Sequence, residues 1–491
     1  MVFSSIVFLY YFLPVTLALY FFCPNRLKNS ILLLCSLMFY AWGEPRNIFV
    51  MCVSVCFGYG FGRLVETYRG NTTGRIFCAI SVGISLSFLL YFKYADFLLE
   101  NLHAVTGIPV TLLHTALPVG ISFYTFQMVS YTVDVSRGET AQRNLVRLAL
   151  YITMFPQLIA GPIVRYSDIA RQLTARQHSF QMAADGIRRL ILGLAKKILL
   201  ADQLGELCEV FRDSQEKSVF FYWIYAVSCT LSIYYDFSGY SDMAAGLGRI
   251  FGFRLPQNFD HPFLSGSMTE FWRRWHISLG TWFRDYVYIP LGGNRLGQRR
   301  QICNIFIVWI LTGLWHGAEW NFVIWGLYFA VLLSVEKTGW MKHLLEKYRI
   351  FARAYFLLLI LISFVIFHAQ DAGQAVSDLR GLFGAGGIAW ISDEAVYYIK
   401  SYAVVLLLAA AGAVLPWNIW RNHQEAKIMC QRQAEIVPWG MQCAVGSAER
   451  WIFTVKNIYR SIEPVALLGL LVVITAYLVN GSFQAFLYFR F

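Results

Sequence analysis

ICNIFIVWILTGLWHGAEWNFVIWGLYFAVLLSV, residues 302–335, holds far more apolar residues than one membrane span requires. A bilayer-spanning helix needs about 20 of them. Gly313, Gly317, Glu319 and Asn321 interrupt the run near its middle. The pattern predicts two helices with His316 at the break between them. An ionisable side chain at membrane depth is costly, so it faces a bundle interior or a water-filled cavity. Membrane location, a broken helix and the polar neighbours Glu319 and Asn321 make His316 a candidate functional residue. A neutral imidazole can take a proton from a hydroxyl near pH 7, which contributes about 10²–10⁴-fold in rate. Attack of that oxygen on an activated acyl carbon would be acyl transfer, with Trp315 and Trp320 keeping out hydrolytic water. A proton relay in a transporter fits the same spacing, and spacing alone does not separate the two.

Composition agrees with a membrane setting. Of the 491 residues, 57% are hydrophobic and 14% charged, against about 25% charged in soluble domains. Mean hydropathy is +0.51. Long apolar runs recur, and the short alternating segments of a β-barrel do not. The net charge of +12 is read as basic residues gathered in cytoplasmic loops rather than as a nucleic-acid surface. Ten cysteines are scattered without a C-x-x-C pair, so no zinc or redox site is expected and no metal ligand is assigned. The N-terminal MVFSSIVFLYYFLPVTLALYFF lacks a basic leader and a cleavage site, and reads as a retained first helix.

Apolar segments fall near 7–23, 30–43, 47–62, 76–95, 114–135, 145–163, 187–205, 219–240, 302–316, 320–335, 351–370, 397–416 and 462–480. No linker divides them. The expectation is one all-α polytopic membrane domain over 1–491, with roughly eleven or twelve spans plus re-entrant and interfacial helices. Residues 1–135 supply N-terminal helices, 136–335 a core, and 336–491 C-terminal helices with a loop over 417–461. Arg26 and Lys28, the basic stretch 165–197, the segment 294–300 and that late loop place these regions in the cytoplasm. Segment 145–163 contains Pro156, Gly161 and Pro162, which break a helix. A re-entrant loop fits, and irregular backbone at that depth lines a cavity or is buried in protein.

Three further stretches could carry chemistry. EFWRRWHISLGTWFRDY, residues 270–286, places Trp272, Trp275, Leu279, Trp282, Phe283 and Tyr286 on one helical face and Arg273, Arg274 and Arg284 on the other. It reads as one helix in the interfacial plane, with Glu270 paired to Arg273 or Arg274. His276 borders the aromatic face, either hydrogen-bonding a headgroup or positioning a ligand. Next comes YVYIPLGGNRLGQRR, a glycine turn ending in Asn294 and Arg295. These basic residues suit a phosphate-bearing donor or lipid headgroups equally, and the turn lacks the P-loop pattern. Last, YYDFSGYSDMAAGLGRIFGF at 234–253 gathers Asp236, Ser238, Tyr240, Ser241 and Asp242. Polar caps between two helices explain it as well as a site does. No G-x-S-x-G precedes either serine, which weakens a nucleophile reading.

At these residues the chain resembles the membrane-bound O-acyltransferase (MBOAT) family, of the alginate O-acetylation type. The matching stretches are MVFSSIVFLYYFLP at the start, LPVGISFYTFQMVSYTVDVSRG at 117–138, FPQLIAGPIVRYSDI at 155–169 and YYDFSGYSDMAAGLGRIFGF at 234–253. SMTEFWRRWHISLGTWFRDYVYIPLGGNR at 267–295, GLWHGAEWNFVIWGLYF at 313–329 and the aromatic tail at 486–491 complete the series. The resemblance implies a helical bundle around a central tunnel and two signature histidines, His276 and His316, the latter catalytic. Arg273, Trp275, Asn294 and Arg295 would bind or position the donor. Trp315, Glu319, Asn321, Asp236, Ser238, Tyr240 and Asp242 would line or support the tunnel. It implies an acetyl group passed from a cytoplasmic thioester, acetyl-CoA, toward an exopolysaccharide or cell-wall glycan, with no bound cofactor. It also implies a bacterial inner-membrane location and a periplasmic partner that finishes the transfer. Phe329 stands where relatives often carry a further histidine, so no third imidazole is expected. Alternatives are D-alanyl transfer to an envelope polymer, a transporter using His316 as a relay, and a scaffold that tolerates loss of both histidines.

Overall fold

A computed structural model describes residues 2–159, 161–415 and 446–481, the side chains of 446–461 excepted. Among the described residues every regular element is a helix and no strand occurs, as hydropathy and periodicity predict. Ile48–Thr67, Thr72–Thr106, Arg349–His368 and Ile462–Asn480 are long and apolar enough to cross a bilayer. Two bent pairs raise the number to six: Trp320–Glu336 with Gly339–Lys347, at 82°, and Asp393–Ser401 with Ala403–Val414, at 63°. The other apolar segments also form helices, but shorter ones or ones carrying polar side chains. Val465 and Leu468 on Ile462–Asn480 are 70% and 63% exposed. Faces of that kind belong in hydrocarbon, where every backbone group must find its partner within the protein.

Two hydrophobic cores share the bundle. The first joins the N-terminal helices to Tyr240, Met243, Leu247 and Phe251. The second joins Leu204–Phe211, Phe221–Tyr235 and the helices from Ile305 to Ala413. Val219–Ile250, a single helix of 32 residues, therefore runs through both, with its first half in one core and its second half in the other. Such a helix is buried all round, which explains its lack of an amphipathic face. The polar cluster 236–242 lies where it changes core.

That helix is not interrupted at the cluster, contrary to the helix-cap expectation. The polar side chains serve lateral contacts instead. Lys197 Nζ lies 2.6 Å from Asp236 and 2.7 Å from Asp202, and Lys196 Nζ lies 2.7 Å from Asp242. Both lysines sit in the π-turn Lys196–Ala201 that continues Phe180–Ala195. Glycines bring the two helices into backbone contact: a Cβ on Gly193 would stand 2.6 Å from the Gly239 carbonyl oxygen, and one on Gly246 2.6 Å from that of Gly186. Close approach lets short and long side chains alike find their ionic partners.

The break expected in 145–163 is present. Leu145–Thr153 ends at Met154, Phe155–Leu158 makes one turn, and the chain then extends to Arg165. Its freed backbone groups are satisfied from other elements. Ser36 Oγ accepts from Phe155 N at 3.2 Å, Ser278 Oγ accepts from Ile163 N at 3.0 Å, and Tyr151 donates to Val164 O at 2.9 Å. The anticipated loop over 417–461 needs correction at its end, because a helix runs from Gly446 to Asn480. Residues 416–445 and the tail at 486–491 lie outside the described residues.

Candidate active site

His316 is the last residue of Gln298–His316, and Trp320–Glu336 turns back against it. Gly317 adopts extended backbone and stops the helix. The hairpin closes on small residues: a Cβ on Gly313 would stand 2.3 Å from Phe322 O, and one on Gly326 2.3 Å from Trp309 O. Asn321 is buried, and its amide donates to Ala369 O at 2.8 Å, tying the hairpin to the end of Arg349–His368. Around the His316 imidazole stand Trp315, Trp325 and Phe367, with centroids 5.0, 5.1 and 5.2 Å away. His316 keeps 7% exposure. The break predicted between Gly313 and Asn321 thus lies where expected, and for the expected reason.

His276 needs a correction. Residues 270–286 do not form one interfacial helix; they form Met268–Arg274, Ile277–Phe283 and the π-turn Arg284–Tyr288. His276 occupies the first joint in left-handed backbone, φ 45° and ψ 50°. A bulky non-glycine residue there is strained, and surrounding contacts must hold it. The aromatic stripe is divided by this joint. Trp275 enters the second core, whereas Leu279, Trp282 and Phe283 enter the first. His276 is 1% exposed, which excludes a headgroup contact.

The clamp on His276 comes from elsewhere in the chain. The Asn258 side-chain oxygen lies 3.2 Å from His276 Nδ1 and accepts from Ser278 N at 3.2 Å and Ser278 Oγ at 2.8 Å. A backbone N–H can only donate, so that oxygen is fixed as an acceptor. His276 Nδ1 must then carry the proton, and Nε2 presents a lone pair. Nε2 is buried with no hydrogen-bond partner among the described residues. The preceding helix is anchored by Glu336, whose carboxylate accepts from Met268 N at 2.7 Å, Thr269 N at 2.8 Å and Thr269 Oγ1 at 2.7 Å. Asn258, Ser278 and Glu336 gave no signal in the sequence, because each acts through a contact that folding creates.

Trp315 joins the two histidines. Its ring centroid lies 6.0 Å from that of His276 and 5.0 Å from that of His316. Phe237, from the core-switching segment, also packs edge-on against His276, with ring centroids 4.5 Å apart. Trp315 belongs to the first core and Trp325 to the second. Both imidazoles therefore stand on the seam between the cores.

The remaining expected site residues divide into groups. Ser238 lies on the core-switching segment, its hydroxyl without a hydrogen-bond partner among the described residues. Tyr240 stacks on Phe3 at 4.9 Å. Asp236 and Asp242 engage the lysines already described. Glu270 pairs with Arg274 at 3.0 Å rather than with Arg273. Arg273, Asn294, Arg295 and Glu319 are exposed, unlike the imidazoles. Asn294 and Arg295 precede the far end of Gln298–His316, about 27 Å from His316 at 1.5 Å per residue. Asn304 holds their glycine turn, donating to Gly293 O at 2.9 Å. Phe329 is buried among Trp272, Trp309 and Trp325. A small, partly open pocket that includes neither histidine is lined by Ser54, Gly58, Ser81, Tyr124 and Met128 among others. Among the described residues, no group of three or more His, Cys, Asp or Glu side chains is placed to hold a metal.

A buried imidazole at a helix break, walled by aromatic rings, stands on the seam of this multi-helix scaffold. The membrane-bound O-acyltransferase family matches residues 85–373, and the chain belongs to it. It is a multi-pass membrane O-acyltransferase. The Azotobacter vinelandii protein named "Probable alginate O-acetylase AlgI" is 36% identical, with 100% of each chain covered. A protein of the same name from Pseudomonas putida is 40% identical over 79% of this chain and 81% of its own. The peptidoglycan O-acetyltransferase of Helicobacter pylori is 31% identical over 82% of this chain and 83% of its own.

Proposed function

We propose that this protein moves an acetyl group from a cytoplasmic thioester, acetyl-CoA, across the bacterial inner membrane for O-acetylation of an exopolysaccharide such as alginate or of a cell-wall glycan. The observation that carries this reading is the position of His316, an imidazole at a helix break on the seam between two cores. His316 takes the proton of an acceptor hydroxyl. The hydroxyl oxygen bonds to the acyl carbon, the carbon–sulfur bond breaks, and the leaving thiolate takes the proton back from the imidazolium. The acceptor is the glycan itself or a periplasmic partner protein that completes the transfer. The donor approaches from the basic side, past Arg273, Asn294 and Arg295, toward Trp275 and His276. His276 Nε2, as a lone-pair acceptor, holds an N–H or O–H of a bound substrate.

The test is a His316→Ala variant that inserts to the wild-type amount, assayed for transfer of labelled acetyl groups in membranes. Transfer falls by about 10²–10⁴-fold if the imidazole is the base. Wild-type transfer by that variant rejects the assignment and favours a scaffold.

A further inference from the structure

Lys93 lies within Thr72–Thr106, a 35-residue apolar span, and has no part in the chemistry above. A charged side chain at such a place requires a reason. Among the described residues it forms no ion pair. Its Nζ donates instead to Trp315 O at 2.6 Å and His316 O at 3.1 Å. The next residue, Tyr94, donates its hydroxyl proton to Leu314 O at 2.6 Å. Both side chains come from one π-turn, Leu90–Tyr94, a local widening that is frequent at functional positions.

The end of Gln298–His316 explains the arrangement. A helix leaves its last four carbonyls without partners inside the helix. Here they belong to Gly313, Leu314, Trp315 and His316. Gly317 N donates to Gly313 O at 3.3 Å. The other three carbonyls are the ones that Tyr94 and Lys93 reach. No water is available inside hydrocarbon to take their place. The ammonium also stands at the negative end of the helix macrodipole, where a cation is favoured. This grip is applied to the backbone of His316 itself, across 223 residues of sequence.

We propose that Lys93 is a positioning residue for acyl transfer, fixing the imidazole of His316 by clamping the carbonyls of Trp315 and His316. This role rests on the O-acyltransferase reading of the site. Catalytic groups must be held close to productive geometry by neighbours that are themselves held. Lys93 has a backbone grip on the base, Tyr94 shares the load, and neither reaches the reacting atoms.

The experiment compares wild type, Lys93→Met, Lys93→Arg, Tyr94→Phe and His316→Ala in membranes at matched amounts, with acetyl-CoA and a polysaccharide acceptor. Lys93→Met keeps the length of the side chain and removes its donors. Its kcat falls about 100-fold, the cost of a displacement near 1 Å, while KM for acetyl-CoA is unchanged. Lys93→Arg recovers much of the rate because donors return, and Tyr94→Phe loses less than Lys93→Met. Wild-type kcat in Lys93→Met overturns the proposal. So does a raised KM with kcat intact, or Lys93→Arg no better than Lys93→Met. Should Lys93→Met fail to accumulate, Tyr94→Phe decides: a lower kcat at constant KM supports the clamp, and wild-type kcat overturns it. Wild-type protein that transfers no acetyl group from acetyl-CoA removes the proposed reaction and this role with it, whereas active wild type with indifferent Lys93 variants removes the role alone.

Discussion

His276 holds left-handed backbone that glycine would adopt freely and asparagine tolerates better than most residues. Its ring is oriented by Asn258, which in turn reads the Ser278 backbone. Two effects follow from replacing it, and they separate by residue type. His276→Ala retains the strained backbone and loses the ring. His276→Asn eases the strain and leaves a carbonyl oxygen as acceptor, though on a shorter arm. His276→Asn is therefore expected to melt closer to wild type than His276→Ala. Both raise KM for acetyl-CoA more than they lower kcat, since removing binding that is uniform along the reaction acts on KM. Steady-state kinetics in membranes and thermal unfolding in detergent measure these effects. A kcat collapse at constant KM would assign His276 to the chemical step instead.

Helices in this protein approach one another through glycine, and the approach sets where side chains end up. In the His316 hairpin, Gly313 and Gly326 face each other across the crossing. Gly326→Ala places a methyl group 2.3 Å from the Trp309 carbonyl oxygen, so the two helices must separate. The expected result is a protein that still inserts but loses about 10²-fold or more in transfer, because a shift near 1 Å misplaces the base. Gly83→Ala, where nothing lies within 4 Å, is the matched control and should keep wild-type transfer. Equal activity in the two variants would show that the crossing tolerates separation. The elements also show what was legible beforehand. The 317–319 break was readable because glycine and polar residues interrupt an apolar run. The break at Trp275–His276 was not, because EFWRRWHISLGTWF has neither proline nor glycine there and its helical periodicity continues across the joint. The polar cluster 236–242 suggested a helix boundary only because Lys196 and Lys197, which satisfy its carboxylates, are about forty residues earlier in the chain.

The whole molecule is two packed cores threaded by one helix, and its candidate site occupies their seam. The rings of Trp325 and Phe367 stand against His316 on the second-core side. Phe367→Leu keeps an apolar filling and removes the ring edge. Water should then reach the donor more readily, and acetyl-CoA should be hydrolysed without acceptor faster than by wild type. Free thiol released in acceptor-free membranes reports it, and an unchanged rate would place the water barrier elsewhere.

Composition and hydropathy by themselves determined that this is a helical membrane protein with an imidazole at an interrupted span. Those properties depend on the solvent around each segment and on local helix breakers, both written along the chain. Tertiary structure alone decided that His276 leaves the interface for the interior, that Asn258 sets its tautomer, and that Lys93 grips the end of the His316 helix. The reason is that these contacts satisfy polar groups which no neighbour in sequence can reach. In a medium without water, the partner has to come from wherever packing brings one.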